Sequence, residues 1–281
     1  MIANTFDYSA PATLADALGM LADGSAKPLS GGMSLIPMMK LRLANPERLI
    51  DIGRLPELNY IREGKGEIHV GAGTTHYEIE TAPLLRAKCP LLAETASHIG
   101  DIQVRNMGTI GGSVAHADPA ADYPAALQAL EAKIVLKSVK GERTLAVGSF
   151  FLDTFTTALD PGEIVSEIIV PVDDAATGSN YQKFVQPASG FAIVGVAARI
   201  RREGGKVTMA RIGVTGLAGY SYRAIKAEEA LETGKDVAVA AALIPSGAEA
   251  NSDLHASAEY RQHMASNYGA RAIAAALSRS A

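Results

Sequence analysis

Two glycine pairs set among hydroxyl side chains, "LSGGMSL" at residues 29–35 and "TIGGS" at residues 109–113, constrain this chain more than any other feature. Glycine has no Cβ, so Gly31 and Gly32, and again Gly111 and Gly112, can take positive φ or let another group reach the backbone itself. Residues 34–43 read as a helix with Lys40 and Arg42 near its end. The N–H groups that open a helix lack internal partners and can hold an anion. One such loop is equally an ordinary tight turn. Two of them, each with hydroxyls beside free backbone donors, point to an extended anionic ligand such as a pyrophosphate gripped from two sides. On this reading, valine at Gly32 or Gly111 abolishes binding and leaves the chain folded.

Neither loop is a Walker A sequence, because no G-x-x-x-x-G-K-[ST] occurs. "GAGTTH" at residues 71–76 opens like a Rossmann fingerprint but places His76 where the third glycine belongs. A dinucleotide held without that motif needs a different flavin- or nucleotide-binding architecture.

The 281 residues exceed a usual single core, so two or three domains are expected. A net charge of −4 with no basic run argues against nucleic-acid binding. The longest apolar stretches are broken by Gly, Pro or charge. "MIANTFDYSAPATL" shows neither the basic nor the apolar region of a signal peptide, so a cytoplasmic location is expected. The one cysteine, Cys89 in "RAKCPLL", rules out an internal disulfide and an iron–sulfur cluster on four thiolates of this chain. It reads as a buried structural thiol. The six histidines do not cluster at zinc spacings.

Along the chain, residues 11–22 read as an amphipathic helix, followed by a short strand entering the first glycine loop. Strands at "ERLIDIGRL" and "GEIHVG", a helical "PLLRAKCPLLAETASHIG", and a loop-then-helix over "TIGGSVAHADPAADYPAALQAL" come next. From residue 132 the pattern turns to short β-branched strands around a small helix at "VGSFFLDT". A polar stretch at residues 173–180 marks a boundary. Three alternating strands follow, then helices ending in a long one from about Leu254 to Arg279.

Together "LSGGMSL", "MMKLRLANPERLIDI", "GAGTTHYEIE", "IGDIQVRNMGTIGGSVAHADPAADYPAAL", "YQKF" and "DLHASAEYRQHMASNYGARAIAAAL" resemble the FAD-binding medium subunits of the molybdenum hydroxylases. These are the flavoprotein subunits of carbon monoxide dehydrogenase and bacterial xanthine-dehydrogenase-type enzymes, and the likeness runs over essentially the whole chain. It implies an α+β fold: a two-subdomain FAD-binding domain of the vanillyl-alcohol-oxidase/PCMH type over residues 1–175, divided near residue 57. A C-terminal domain over residues 176–281, with a three-stranded antiparallel sheet and helices, completes it.

The resemblance also implies a site. The family's first FAD loop, A-G-G-x-S, is matched by Ser30, Gly31, Gly32, Met33 and Ser34, with Leu35 following and Lys40 beyond it. The second, T-I-G-G-N, is matched by Thr109, Ile110, Gly111 and Gly112, with Ser113 in place of the asparagine. Asp122 matches an acid on the flavin's sugar side and equally suits an N-cap. Ile164 and Val165 match positions lining the isoalloxazine, Lys183 a lysine at its polar edge, and Phe191 an aromatic close to the ring. Core packing is the competing role for Ile164, Val165 and Phe191.

The function implied is a noncovalent FAD that takes electrons from [2Fe–2S] clusters of a small subunit, which are themselves fed from a molybdenum cofactor in a large subunit. The FAD then passes them to a quinone, NAD or oxygen. The assembly implied is a dimer of heterotrimers, cytoplasmic or at the inner face of the membrane through its acceptor. No acid–base catalyst is named in this chain. The rivals are a self-contained FAD-dependent oxidoreductase of the same superfamily and a nucleotide-binding regulatory protein without redox chemistry.

Overall fold

A computed structural model describes residues 2–280 as three larger sheets and a two-strand ribbon, with eleven α-helices among the described residues. The first sheet is small and parallel, with β1 (Asp7–Ser9), β2 (Lys27–Leu29) and β3 (Arg48–Asp51) in the order β1-β3-β2. Helix α1 (Leu14–Leu21) crosses over it. The Thr13 hydroxyl accepts from Asp16 N at 3.1 Å and starts the helix. The i, i+3, i+4, i+7 spacing of Leu14, Ala17, Leu18 and Leu21 then lays one face on Ile50, Ile52, Leu55 and Leu58. The short α2 (Leu35–Lys40) follows the first glycine loop. It is briefer than the ten-residue helix expected, because Arg42 turns left-handed (φ 59°) and ends it.

The second sheet is antiparallel. It contains β4 (Ile61–Gly64), β5 (Glu67–Gly71), β6 (Lys133–Ser138), β7 (Gly141–Ala146) and β10 (Ile164–Pro171), in the order β4-β5-β10-β6-β7. A two-strand ribbon, β8 (Phe151–Asp153) with β9 (Thr156–Thr157), stands apart from it. The β10 sequence "IVSEIIVP" is central and largely buried, which explains its near-continuous apolar run. Between β5 and β6 come α3 (His76–Thr81), α4 (Pro83–Lys88), α5 (Pro90–Ser97), α6 (Ile102–Met107), α7 (Ile110–His116) and α8 (Tyr123–Ala129). The expected single helix over residues 83–100 is two, because Pro90 cannot donate to a preceding turn and breaks the run at Cys89. Cys89 is fully buried, and burial pushes its thiol up, as befits an inert structural residue.

The third sheet holds β11 (Thr177–Val185), β12 (Ala192–Glu203) and β13 (Lys206–Thr215), the three long strands expected. It also has a two-residue edge, β14 (Tyr222–Arg223), too short to carry a periodic signal. Helices α9 (Ile225–Glu232), α10 (Val237–Leu243) and α11 (Ala258–Arg279) cover one face. The last begins four residues later than the sequence suggested, at the Ser257 cap, because the Asp253 carboxylate accepts the N–H groups of His255 and Ala256 and bends the chain there. The third sheet is keyed to the second unit. The Thr215 hydroxyl donates to one of the carbonyls of Pro119 and Ala121, both at 2.8 Å, and Gly216 N donates to Pro119 O at 2.7 Å. The run Ala121–Leu130 is buried throughout. The link between the second glycine loop and α8 therefore lies where the two units meet.

Candidate functional site

Folding brings the two glycine loops into contact. The hydroxyls of Ser30, at the end of β2, and Thr109, at the start of α7, share a hydrogen bond of 3.0 Å. Gly31 makes this possible: a Cβ on it would stand 2.0 Å from the carbonyl oxygen of Met107. Gly32 takes φ 71°, which a β-branched residue resists. Beyond it, the backbone N–H groups of Gly31, Gly32, Met33, Ser34 and Leu35 donate to no protein acceptor among the described residues. The Ser34 hydroxyl makes no capping bond either. Five successive open donors around a left-handed glycine form a concave anion trap. Such a donor set suits a diphosphate.

The second loop is built differently from the sequence expectation. It is not a loop with free donors but the first turn of α7, and every donor there is already used. Ile110 N donates to Thr74 O (3.1 Å), Gly111 N to Ala72 O (2.9 Å), Gly112 N to the Thr109 hydroxyl (3.2 Å) and Ser113 N to Thr109 O (3.0 Å). Gly111 is buried, and a Cβ on it would meet Ala72 Cβ at 2.4 Å. Its role is to let α7 dock on the "GAGTT" segment. What this side offers a ligand is the Thr109 hydroxyl, exposed Gly112 and the half-exposed Ser113 hydroxyl, which has no protein partner among the described residues. The "GAGTT" stretch is thus a supporting residue set that motif reading set aside as a failed fingerprint.

Asp122 and Lys183 meet. Lys183 Nζ lies 2.9 Å from Asp122 Oδ2, with the side chains only 4% and 5% exposed. The same ammonium donates to His98 O at 2.9 Å, and the Tyr181 hydroxyl donates to Asp122 Oδ1 at 2.6 Å. The Asp122 side chain makes no N-cap bond, so the capping alternative is not realised. Burial pushes its carboxyl up, and Lys183 and the Tyr181 hydroxyl oppose that rise.

The remaining expected residues divide. Ile164 sits in the apolar cluster under the first sheet and Val165 in the central core, because consecutive strand residues face opposite sides. Their side chains form the wall where the first two units join. Phe191 is 46% exposed at the tip of the β11–β12 hairpin. Gln186 N donates to its carbonyl at 2.8 Å, and Ala192 N donates to Ala120 O. That places its backbone beside the link that ends at Asp122. Lys40 is exposed and makes no ion pair among the described residues, and Met33 is also exposed. No group of three or more His, Cys, Asp or Glu placed to hold a metal lies among the described residues.

His76 is a second feature the motifs did not disclose. Its ring is buried against Tyr123, with ring centroids 5.3 Å apart, and its backbone N–H donates to Gly108 O directly before the second glycine loop. Burial, aided by the Arg105 charge, lowers it to about 4. An imidazole that takes a proton near 6.5 when unfolded but near 4 when folded favours the unfolded state as pH drops between those values. Acidification through that window should remove on the order of 3 kcal/mol of stability. Urea unfolding at pH 7.5 and pH 5 should show about 2 kcal/mol of that loss in the wild type and a flatter response in His76→Gln.

Known families account for this arrangement. Residues 4–173 match the model of the FAD binding domain in molybdopterin dehydrogenase, and residues 179–276 match the CO dehydrogenase flavoprotein C-terminal domain. The chain is 40% identical to the carbon monoxide dehydrogenase medium chain of Hydrogenophaga pseudoflava, with both chains covered in full. It is 39% identical over 225 residues to the glyceraldehyde dehydrogenase medium chain of Sulfolobus acidocaldarius, covering 80% of each. The solved structure of the Hydrogenophaga pseudoflava carbon monoxide dehydrogenase lacking the Mo-pyranopterin moiety superposes with a TM-score of 0.96 at 42% identity, covering 100% of both chains. The chain belongs to the family of FAD-binding medium subunits of carbon-monoxide-dehydrogenase-type molybdenum hydroxylases.

Proposed function

We propose that this chain is the electron-transfer subunit of a multi-subunit molybdenum hydroxylase. It receives electrons from the [2Fe–2S] clusters of a small subunit, whose own source is the molybdenum cofactor of a large one, and delivers them to an external quinone, NAD or oxygen. The observation that carries the reading is the run of open N–H donors from Gly31 to Leu35 next to the Ser30–Thr109 hydroxyl contact. Bound FAD supplies the redox chemistry; the protein supplies grip, orientation and electrostatics. The open donors and the hydroxyls of Ser30, Ser34, Thr109 and Ser113 hold its diphosphate, with Lys40 adding charge at the rim. Lys183 and Phe191 take the ring, and of the two β10 residues only one can face it, because Ile164 and Val165 point to opposite sides of the strand.

Three facts support the division of labour. The relatives are named medium chains, which implies larger and smaller companions. The single cysteine is buried and cannot serve a cluster. The named relatives differ in substrate, carbon monoxide in one case and glyceraldehyde in another, although their medium chains are alike. The substrate is therefore chosen in the large subunit, from among carbon monoxide, an aldehyde or an N-heterocycle. A dimer of heterotrimers in the cytoplasm, meeting a membrane only through its acceptor, accords with this. No described helix is long and apolar enough to span a bilayer.

Acid denaturation of the purified protein should release one FAD per chain into the supernatant, read by absorbance and chromatography. Colour kept on the polypeptide would refute noncovalent attachment. Release of FMN alone would refute the diphosphate site.

A further inference from the structure

We infer that Tyr181, Asp122 and Lys183 work as a single charge unit, in which Tyr181 and Asp122 are positioning residues that aim the Lys183 ammonium at the flavin rather than touching the cofactor themselves. This rests on the FAD reading above, with Lys183 at the polar edge of the ring.

An ammonium has three hydrogens to donate. Lys183 gives one to Asp122 Oδ2 and one to His98 O, each at 2.9 Å, and the third meets no protein acceptor among the described residues. Asp122 has one oxygen on Lys183 and the other on the Tyr181 hydroxyl at 2.6 Å, so both its oxygens are engaged within the chain. Tyr181 and Lys183 are two apart on β11 and face the same side, toward Asp122. Gly195, which pairs with Lys183 across the sheet, leaves room for the Tyr181 hydroxyl: a Cβ there would come within 2.3 Å of it. Burial and the neighbouring carboxylate push that hydroxyl well up, so it stays a donor. A buried ion pair is a poor way to gain stability, and an apolar pair of like volume usually serves better. A pair that also leaves one buried donor open is built to present that donor to something else.

As a pair, Asp122 and Lys183 add no net charge beside the flavin. Reduction adds negative charge to the flavin. An uncompensated ammonium therefore favours the reduced form, and an uncompensated carboxylate disfavours it. The test is a redox titration of the flavin absorption band in holoenzyme coexpressed with its partner subunits. Asp122→Asn should shift the reduction equilibrium about tenfold toward the reduced flavin, ~30 mV for a two-electron couple. Lys183→Met should shift it by a similar factor the other way. The double variant, which removes both charges, should return near the wild type and covers the case where a single variant folds poorly. Tyr181→Phe should shift the equilibrium less than either charge variant; no shift removes Tyr181 from the unit. Shifts of the same sign in the two charge variants, or none, overturn the inference. Wild-type protein without flavin would instead overturn the cofactor reading itself.

Discussion

Gly111→Val should yield a protein that holds no FAD and melts well below the wild type. The reason lies inside the protein rather than at the ligand. Gly111 is buried in the first turn of α7, its N–H bonded to Ala72 O, and even a single Cβ would approach Ala72 Cβ at 2.4 Å and Ala72 O at 2.7 Å. Backbone cannot yield as a flexible side chain can, and forcing atoms into a filled core costs about 1–3 kcal/mol or more. The sequence reading expects such a variant to stay folded; the packing around Gly111 adds that it should do so with much reduced stability. Gly32→Val is the contrasting case. Its added Cβ meets only side-chain atoms, the nearest being Ile36 Cδ1 at 2.7 Å, but the φ of 71° penalises any β-branched residue. That conformation costs roughly 1–2 kcal/mol, so the chain should remain folded while the anion trap loses its shape. The visible-to-ultraviolet absorbance ratio and a thermal melt separate the two. Full flavin content in Gly111→Val, with a wild-type melt, would mean the second loop is a mere turn.

The second large effect is all-or-none. The isolated chain should not turn over a physiological substrate, and anaerobic addition of carbon monoxide, an aldehyde or an N-heterocycle should leave its flavin oxidised. Coexpression with the small and large subunits should give one assembly by size exclusion, whose flavin bleaches on substrate addition. An electron donor has to dock close to the flavin, and permanent interfaces of that kind are large and rather apolar. The surface beside the first loop has that character: Met33, Ile36, Leu41 and Leu43 are exposed, whereas Met39 turns into the core and Met38 is half-buried. The isolated subunit should accordingly aggregate more readily than the complex. Complete flavin reduction by substrate in the isolated chain would defeat the subunit assignment.

Much of this was legible from local chemistry. The 3.6 spacing of "LADALGML" names its element because the helix buries one face, and period alone reveals that, whereas "AIVGVAARIRRE" is buried on both sides through Ile200 and is marked by its apolar run. The same logic could not tell a helix start from a loop at "TIGGS". The deciding bonds there run to Ala72 and Thr74, more than thirty residues away, and only the fold brings the Ser30 hydroxyl to the Thr109 hydroxyl. Nor could it tell that Ile164 and Val165 belong to two different cores, since adjacent apolar strand residues look alike until two sheets meet across them.

The amino-acid sequence by itself determined the family, the number of glycine loops and the absence of enough cysteines for a cluster, because these depend on residue identity and order. Only the tertiary structure decided which loop keeps its donors open and which uses them to hold the fold. It also decided that Asp122 answers Lys183 instead of capping a helix. Those choices depend on which groups meet in space, and a hydrogen-bond donor is available to a ligand only when no nearer acceptor, brought from elsewhere in the chain, has already taken it.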